Sequence, residues 1–81
     1  MNEVSKKVIE LAKLGCYTQF APIGIGVIEV TIYNTNINCS ISKVFTVDII
    51  DSSEIDDLLL HILNEMEREI RFYIRMEKEK K

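Results

Sequence analysis

The last third of the chain is predicted to form a helix that is longer than the rest of the protein can cover. Apolar residues at helical spacing extend from about Ser53 to Lys78, which corresponds to a helix roughly 39 Å long. A strand of about eight residues spans only ~26 Å, so some three turns should project past any sheet that the chain forms. Those turns carry apolar side chains around most of their circumference, among them Ile70, Phe72 and Tyr73. Water is a poor environment for such a surface, so the sequence predicts that a partner covers it.

An amphipathic helix is predicted at the other end of the chain. Val4, Val8 and Leu11 follow the spacing of one helix face, while charged residues occupy most of the remaining positions. Asn2 is a suitable residue to cap the start of this helix, and Gly15 is suitable to cap its end. The helix should therefore be short and should bury one stripe of apolar side chains.

Three strands are predicted between the two helices. They are CYTQFA at 16–21, VIEVTIYN at 27–34 and SISKVFTVDII at 40–50. The segment PIG at 22–24 is predicted as the turn between the first two strands, because it contains the only proline in the chain. The middle strand alternates regularly, so that Ile28, Val30 and Ile32 share one face.

The pairing of these strands follows from their polarity pattern. The turn NTNIN is short, so the second and third strands should pair antiparallel. Their apolar faces coincide only if paired residue numbers sum to an odd value, which places Lys43 at the edge of the core face. The predicted fold class is α+β, in the order α-β-β-β-α, as a single domain over residues 1–81. Both helices should cover the apolar face of a three-stranded antiparallel sheet and leave its other face open.

Composition and charge argue against several classes of function. The chain has 81 residues and a formal net charge of −3, which argues against binding a nucleic-acid backbone. No apolar run resembles a signal peptide or approaches the ~20 residues of a membrane span. We therefore expect no nucleic-acid partner, no membrane partner and a cytoplasmic location. Cys16 and Cys39 are then expected to be thiols.

The sequence offers little for catalysis or metal binding. His61 is the only histidine, and it lies one helical turn from both Asp57 and Glu65. Structural and catalytic zinc sites normally use several histidine or cysteine ligands, so this stripe is expected to be solvated. We predict no enzymatic activity, no metal and no cofactor.

An acidic run and the open sheet face are the predicted surfaces for a protein partner. Five acids and no base occur between residues 48 and 57, and some of them are expected to compensate the dipole of the last helix. The predicted partner-binding residues are Asp48, Asp51, Glu54, Asp56 and Asp57, together with Tyr17 and Tyr33.

Self-association is the predicted reason for the apolar C-terminal turns. Several of these residues have the spacing of a seam between helices of two or more copies. The predicted interface residues of this homo-oligomer are Met66, Ile70, Tyr73, Ile74 and Met76. In the alternative, these residues pack back on the first helix of the same chain.

Three arginines support a second functional hypothesis, in which an oligomer sequesters an anionic nucleotide at its subunit interfaces. Guanidinium groups pair well with phosphates, and tyrosine rings can stack on a base. The predicted ligand-binding residues are Arg68, Arg71 and Arg75, with stacking on Tyr17, Tyr33 or Tyr73.

The helix VIELAKLG, paired with SEIDDLLLHILNEMEREI after a β-meander, resembles small proteins encoded by phages and prophages of low-GC bacteria. Several anti-CRISPR proteins are similar in size, acidity and order of elements. The resemblance implies an accessory role in the host cytoplasm, in host takeover or in evasion of defence. On that basis we predict a non-enzymatic protein that binds and inhibits a host or defence protein.

Overall fold

The order of elements is the predicted one. The computed structural model describes residues 2–47 and 52–80. Its elements are α1 (Glu3–Lys13), β1 (Cys16–Gly24), β2 (Val27–Asn34), β3 (Cys39–Thr46) and α2 (Ser52–Glu79). This confirms the α+β class and the order α-β-β-β-α. Within the described residues, neither helix has the length and apolarity that crossing a membrane requires.

Both predicted caps of α1 are present. The Asn2 Oδ1 atom accepts a hydrogen bond of 2.8 Å from the Ser5 amide, which satisfies one of the free donors at the helix start. At the other end Gly15 has φ +85° and donates its amide to the Ala12 carbonyl at 3.0 Å. Glycine takes this left-handed conformation without strain, so the chain can turn sharply from α1 into β1.

The sheet has the order β1-β2-β3 and is antiparallel throughout. Val30 pairs with Lys43 and Ile32 pairs with Ile41, so paired numbers in β2 and β3 sum to an odd value, as predicted. Lys43 therefore lies on the face that carries the core. Its long aliphatic stem tolerates this position because the ammonium group reaches Glu69 at 3.8 Å.

The predicted turn at 22–24 is wrong. Strand β1 continues through Pro22 to Gly24, with an irregularity in its pairing there, and the turn lies at Ile25 and Gly26. β1 is an edge strand, and proline is tolerated in such a strand because an outward-facing position needs no amide for the ladder. Gly26 has φ +68°, and its carbonyl accepts a hydrogen bond of 2.6 Å from Val47.

Both helices cover the same face of the sheet, as predicted. The shared core draws on α1, on all three strands and on α2. Its buried apolar members are Leu11, Cys16, Val30, Ile32, Ile62, Leu63, Met66 and Ile70, and Cys39, Ile41 and Phe45 of β3 pack against them. Neither helix covers the opposite face of the sheet, and no other segment within residues 2–47 and 52–80 forms a layer on it.

The burial of α2 corrects part of the predicted oligomer interface. Met66 and Ile70 have 0% exposed surface in the single chain, and Ile74 packs against the same core. The part of α2 that contacts the core runs from Leu58 to Ile74, roughly 24 Å, which matches the length of a strand. Met66 and Ile70 are therefore core residues with no surface to offer a partner. The predicted overhang of three turns at the C-terminal end of α2 is therefore too long. The sheet packs against the middle of α2, so the uncovered turns are divided between its two ends.

An ion pair joins the two helices beside this core. The Lys7 Nζ atom lies 2.6 Å from Glu67 Oε1, and both side chains are largely covered. Glu67 also accepts a hydrogen bond of 2.8 Å from Arg71 Nε. The hydrogen bond from Lys7 lowers the pKa of Glu67, although burial opposes the change. The same bond raises the pKa of Lys7, again against the effect of burial.

Replacement of Glu67 by glutamine should reveal this pair as a pH-dependent contribution to stability. Near neutral pH, Glu67→Gln should lower the free energy of unfolding by about 1–2 kcal/mol. Because the pKa of Glu67 is lowered from 4.5, the difference from wild type should vanish as the pH falls through that lowered value. It should also fade above pH 10.5 as Lys7 loses its proton.

Urea unfolding across a pH series measures this difference. Glu69→Gln is the matched control, because Glu69 faces Lys43 in an exposed pair at 3.8 Å, where screening leaves little energy. A Glu67→Gln penalty that stays constant from pH 7 to pH 3 would show that the pair does not cause it.

Candidate binding surfaces

The predicted histidine stripe is exposed. His61 Nε2 lies 3.1 Å from Glu65 Oε1 on the solvent side of α2, and both side chains are open to water. Across residues 2–47 and 52–80, no group of three or more histidine, cysteine or carboxylate side chains is placed to hold a metal ion.

The two cysteines lie at the same end of the sheet but on different strands. Cys16 and Cys39 both pair with Asn34, one from each side of β2. Two strand spacings separate them by roughly 10 Å, which is beyond the reach of a disulfide without backbone movement. Both are free thiols, as predicted, and Cys16 is buried in the core.

The acidic run is exposed where the structure describes it. Glu54, Asp56 and Asp57 lie on the first turns of α2 and are open to solvent. Asp48 and Asp51 lie outside the described residues. The described carboxylates are close to the positive end of the helix dipole, which stabilises them.

The open sheet face carries the two predicted tyrosines. Tyr17 and Tyr33 are paired neighbours on this face, and Tyr17 is largely exposed. The Tyr33 hydroxyl donates to Asn38 Oδ1, and Thr31 Oγ1 lies 3.0 Å from Ser42 Oγ. The first bond joins β2 to the β2–β3 turn, and the second crosses from β2 to β3, so this face presents aromatic, hydroxyl and amide groups together.

The turn between β1 and β2 is an apolar tip that the sequence prediction missed. Ile25 has a relative exposure of 104%, and Ile23 beside it has 55%. Phe20, further back along β1, is also partly open at 41%. We call Pro22–Gly26 the hairpin tip. Exposed apolar side chains that form a contiguous patch mark interaction surfaces.

Folding accounts for the glycine of the hairpin tip but not for its isoleucines. A Cβ atom at Gly26 would lie 2.8 Å from the Val47 carbonyl oxygen, so only glycine fits there. No such steric constraint selects isoleucine at position 25, because the Ile25 side chain is fully exposed to solvent. The sequence did contain a signal, because no charged residue occurs between Lys13 and Glu29. Polar residues usually occupy such turns.

Part of the predicted oligomer interface remains on the surface. Tyr73 and Met76 are each 43% exposed, and Phe72 packs edge-on against Tyr73 with ring centroids 5.7 Å apart. Homo-oligomerisation stays a prediction. Substitutions that test it belong at Tyr73 and Met76, since Ile70→Glu would place a charge in the core of each single chain.

The three predicted arginines do not act together. Arg71 and Arg75 border a groove between α2 and the end of α1, where Leu14 and Ile74 form the floor. Arg68 is exposed elsewhere on α2 and does not line this groove. The structure therefore brings two of the three guanidinium groups to one place, next to Lys78.

Comparison with known protein families, with curated proteins and with solved structures finds no match to this chain.

Proposed function

We propose that this chain is a non-enzymatic protein that inhibits a host or defence protein by inserting its hairpin tip into an apolar cleft of that partner. The full exposure of Ile25 carries the proposal, because the fold does not require an isoleucine there. The resemblance to small phage proteins supports the class of target. The occupied cleft would be closed to the partner's own ligand.

The apolar content of the hairpin tip is large enough to anchor a complex. Burying an isoleucine side chain contributes about 1.5–3 kcal/mol, and two are exposed here, Ile23 at the end of β1 and Ile25 in the turn that follows. A few well-buried residues dominate most protein interfaces, so two such anchors fit the pattern of a hot spot. The turn is fixed at Gly26 by its bond from Val47, so little ordering is needed on binding.

Charge close to the hairpin tip supports a partner with a basic rim. The Val47 amide bonds to Gly26, and four residues separate Val47 from the start of α2 at Ser52. The first turn of α2, with exposed Glu54, therefore begins no more than about 17–18 Å from Val47. Acidic side chains at that distance steer a basic protein surface and disfavour an anionic lipid surface.

Replacement of both tip isoleucines tests this proposal. The double variant Ile23→Ser and Ile25→Ser should lose a target that wild-type protein retains from a lysate of a low-GC bacterial host. With the purified target, the dissociation constant should rise by at least about 100-fold, since two buried apolar anchors are removed. Calorimetry measures that affinity, and inhibition of the target's activity should fall in parallel.

The matched control is Val44→Ser, which removes an exposed apolar side chain from the open sheet face. Wild-type affinity for this control and weak binding for the tip variant would support the proposal, provided that melting and light scattering are unchanged in both. Full binding by the tip variant would overturn it. Loss of binding in Val44→Ser alone would assign the interface to the open sheet face, and binding of wild type to anionic vesicles alone would assign it to lipid.

A further inference from the structure

A groove lies at the end of the sheet opposite the hairpin tip. It is bordered by the end of α1, the turn between β2 and β3, and the last turns of α2. Two adjoining cavities of about 350 and 300 Å³ share Leu14, Ile74 and Lys78. Ile37 of the β2–β3 turn completes an aliphatic floor. These volumes are at the small end of those found for ligand pockets.

The rim of this groove is cationic although the protein is acidic. Arg71, Arg75 and Lys78 line it together with one carboxylate, Glu77, which lies 4.0 Å from the Lys80 ammonium group. Residues 71–80 hold four basic and two acidic side chains in a chain of net charge −3. The helix dipole explains a basic residue in the last turn, such as Lys78. Its influence falls off within one turn, so it does not explain Arg71 and Arg75.

The walls of the groove are held in place by a buried amide. Asn34 is fully buried, and its Nδ2 atom donates to the Leu14 carbonyl at 3.0 Å. Its Oδ1 atom accepts from the amides of Asn36 and Ile37 at 2.9 and 3.2 Å. One side chain thus fixes the end of α1 to the β2–β3 turn, so the apolar floor is formed before any ligand arrives.

We propose that this groove binds a small organic anion whose phosphate or carboxylate lies between Arg75 and Lys78. The apolar body of the ligand lies on Leu14, Ile37 and Ile74. Arg71 contributes a guanidinium oriented by its bond of 2.8 Å to Glu67, which leaves its terminal nitrogens to donate.

The groove differs from the predicted nucleotide site in two respects. It lies within one chain instead of between subunits, and its lining contains no tyrosine among the described residues. Stacking of a base on Tyr17, Tyr33 or Tyr73 is therefore not the mode of contact. Aliphatic side chains hold the apolar body, and the cations select an anionic head group.

A fluorescent organic phosphate tests whether the groove binds both a charged head group and an apolar body. The chain has no Trp, so 1-naphthyl phosphate can be excited without interference from tryptophan. We expect saturable binding at one site per chain. Inorganic phosphate lacks the apolar body and 1-naphthol lacks the charge, so each should bind at least about tenfold more weakly. 1-Naphthoate, which carries a carboxylate, separates a phosphate-selective site from a general anion site within the proposed class.

Variants of the rim identify the site. Arg75→Gln combined with Lys78→Gln should weaken 1-naphthyl phosphate by about tenfold or more, as expected when charge-assisted hydrogen bonds are lost. Arg68→Gln is the matched control, because it removes a cation from the same helix outside the groove, and it should bind as wild type does. Equal binding by the rim variant and wild type would overturn the proposal. Absence of binding at millimolar probe would also overturn it, as would equal affinity for 1-naphthol.

The experiment is independent of the hairpin tip. The groove lies at the β2–β3 turn and the tip lies at the β1–β2 turn, at opposite ends of the sheet. The tip variant should keep the naphthyl phosphate affinity of wild type, and the rim variant should keep its affinity for the protein target.

Discussion

Met66→Ala is expected to lower the free energy of unfolding by about 2–5 kcal/mol, because it leaves a cavity in the centre of the core. Met66 has 0% exposed surface and packs within the cluster that joins both helices to the sheet. For a domain of this size the melting temperature should fall by roughly 10–40 °C. Urea unfolding followed by circular dichroism gives the free energy, and a thermal scan gives the midpoint.

The control for this prediction is a second methionine of the same helix. Met76 is 43% exposed, so Met76→Ala should change the stability by less than about 0.5 kcal/mol. If Met66→Ala does not fold, Met66→Leu conserves volume and should cost less than about 1.5 kcal/mol. Equal effects of the two alanine variants would mean that α2 does not lie on the sheet through its middle turns.

Asn34→Ala should destabilise the protein by about 2–4 kcal/mol, because it leaves three partly buried backbone groups without partners and removes a fully buried amide. The Asn34 Nδ2 atom donates to the Leu14 carbonyl and to Cys16 Sγ at 3.3 Å, and its Oδ1 atom accepts from the amides of Asn36 and Ile37. Loss of these bonds should release the β2–β3 turn from the end of α1. Urea unfolding gives the free energy, and hydrogen exchange should show faster exchange at the amides of Asn36 and Ile37.

Asn36→Ala is the matched substitution for this test. Asn36 is an exposed asparagine of the same turn, and its replacement should change the stability by less than about 0.5 kcal/mol. If Asn34→Ala were as mild as Asn36→Ala, the buried amide could not be what fixes the turn.

The position of Asn34 shows where pattern analysis of the strands reached its limit. The predicted strand VIEVTIYN and the predicted turn NTNIN both included residue 34, and alternation along β2 places it on the same face as Ile32. In the fold it keeps the buried face and replaces apolar packing with four hydrogen bonds. Its main-chain partners come from the α1–β1 junction and from its own turn. Only the packed structure brings those two segments together.

Some of the candidate surfaces could be predicted from the sequence, and others depend on the packed structure. The exposure of Glu54, Asp56 and Asp57 could be predicted, because acids at a helix start are normally solvated. The groove between α1 and α2 could not, since Leu14 and Arg75 lie far apart in the sequence and meet only after packing. The hairpin tip could have been predicted from the sequence, because its residues are uncharged and apolar. The turn was instead predicted at 22–24, on the proline of PIG, whereas it lies at residues 25 and 26.

The sequence by itself determined the class and order of elements, the face that β2 and β3 share in their pairing, and the face of the sheet that the helices cover. These features follow from local periodicity, since a strand exposes alternate residues and a helix exposes one stripe whatever surrounds it. Only the tertiary structure decided which turns of α2 lie on the sheet, and therefore that Met66 and Ile70 are core while Tyr73 and Met76 are surface. The physical reason is that a helix with apolar residues along most of its length could place any of several different turns on the sheet and still bury apolar side chains. Packing against Leu11, Val30 and Ile32, which are distant in the chain, selects one of them.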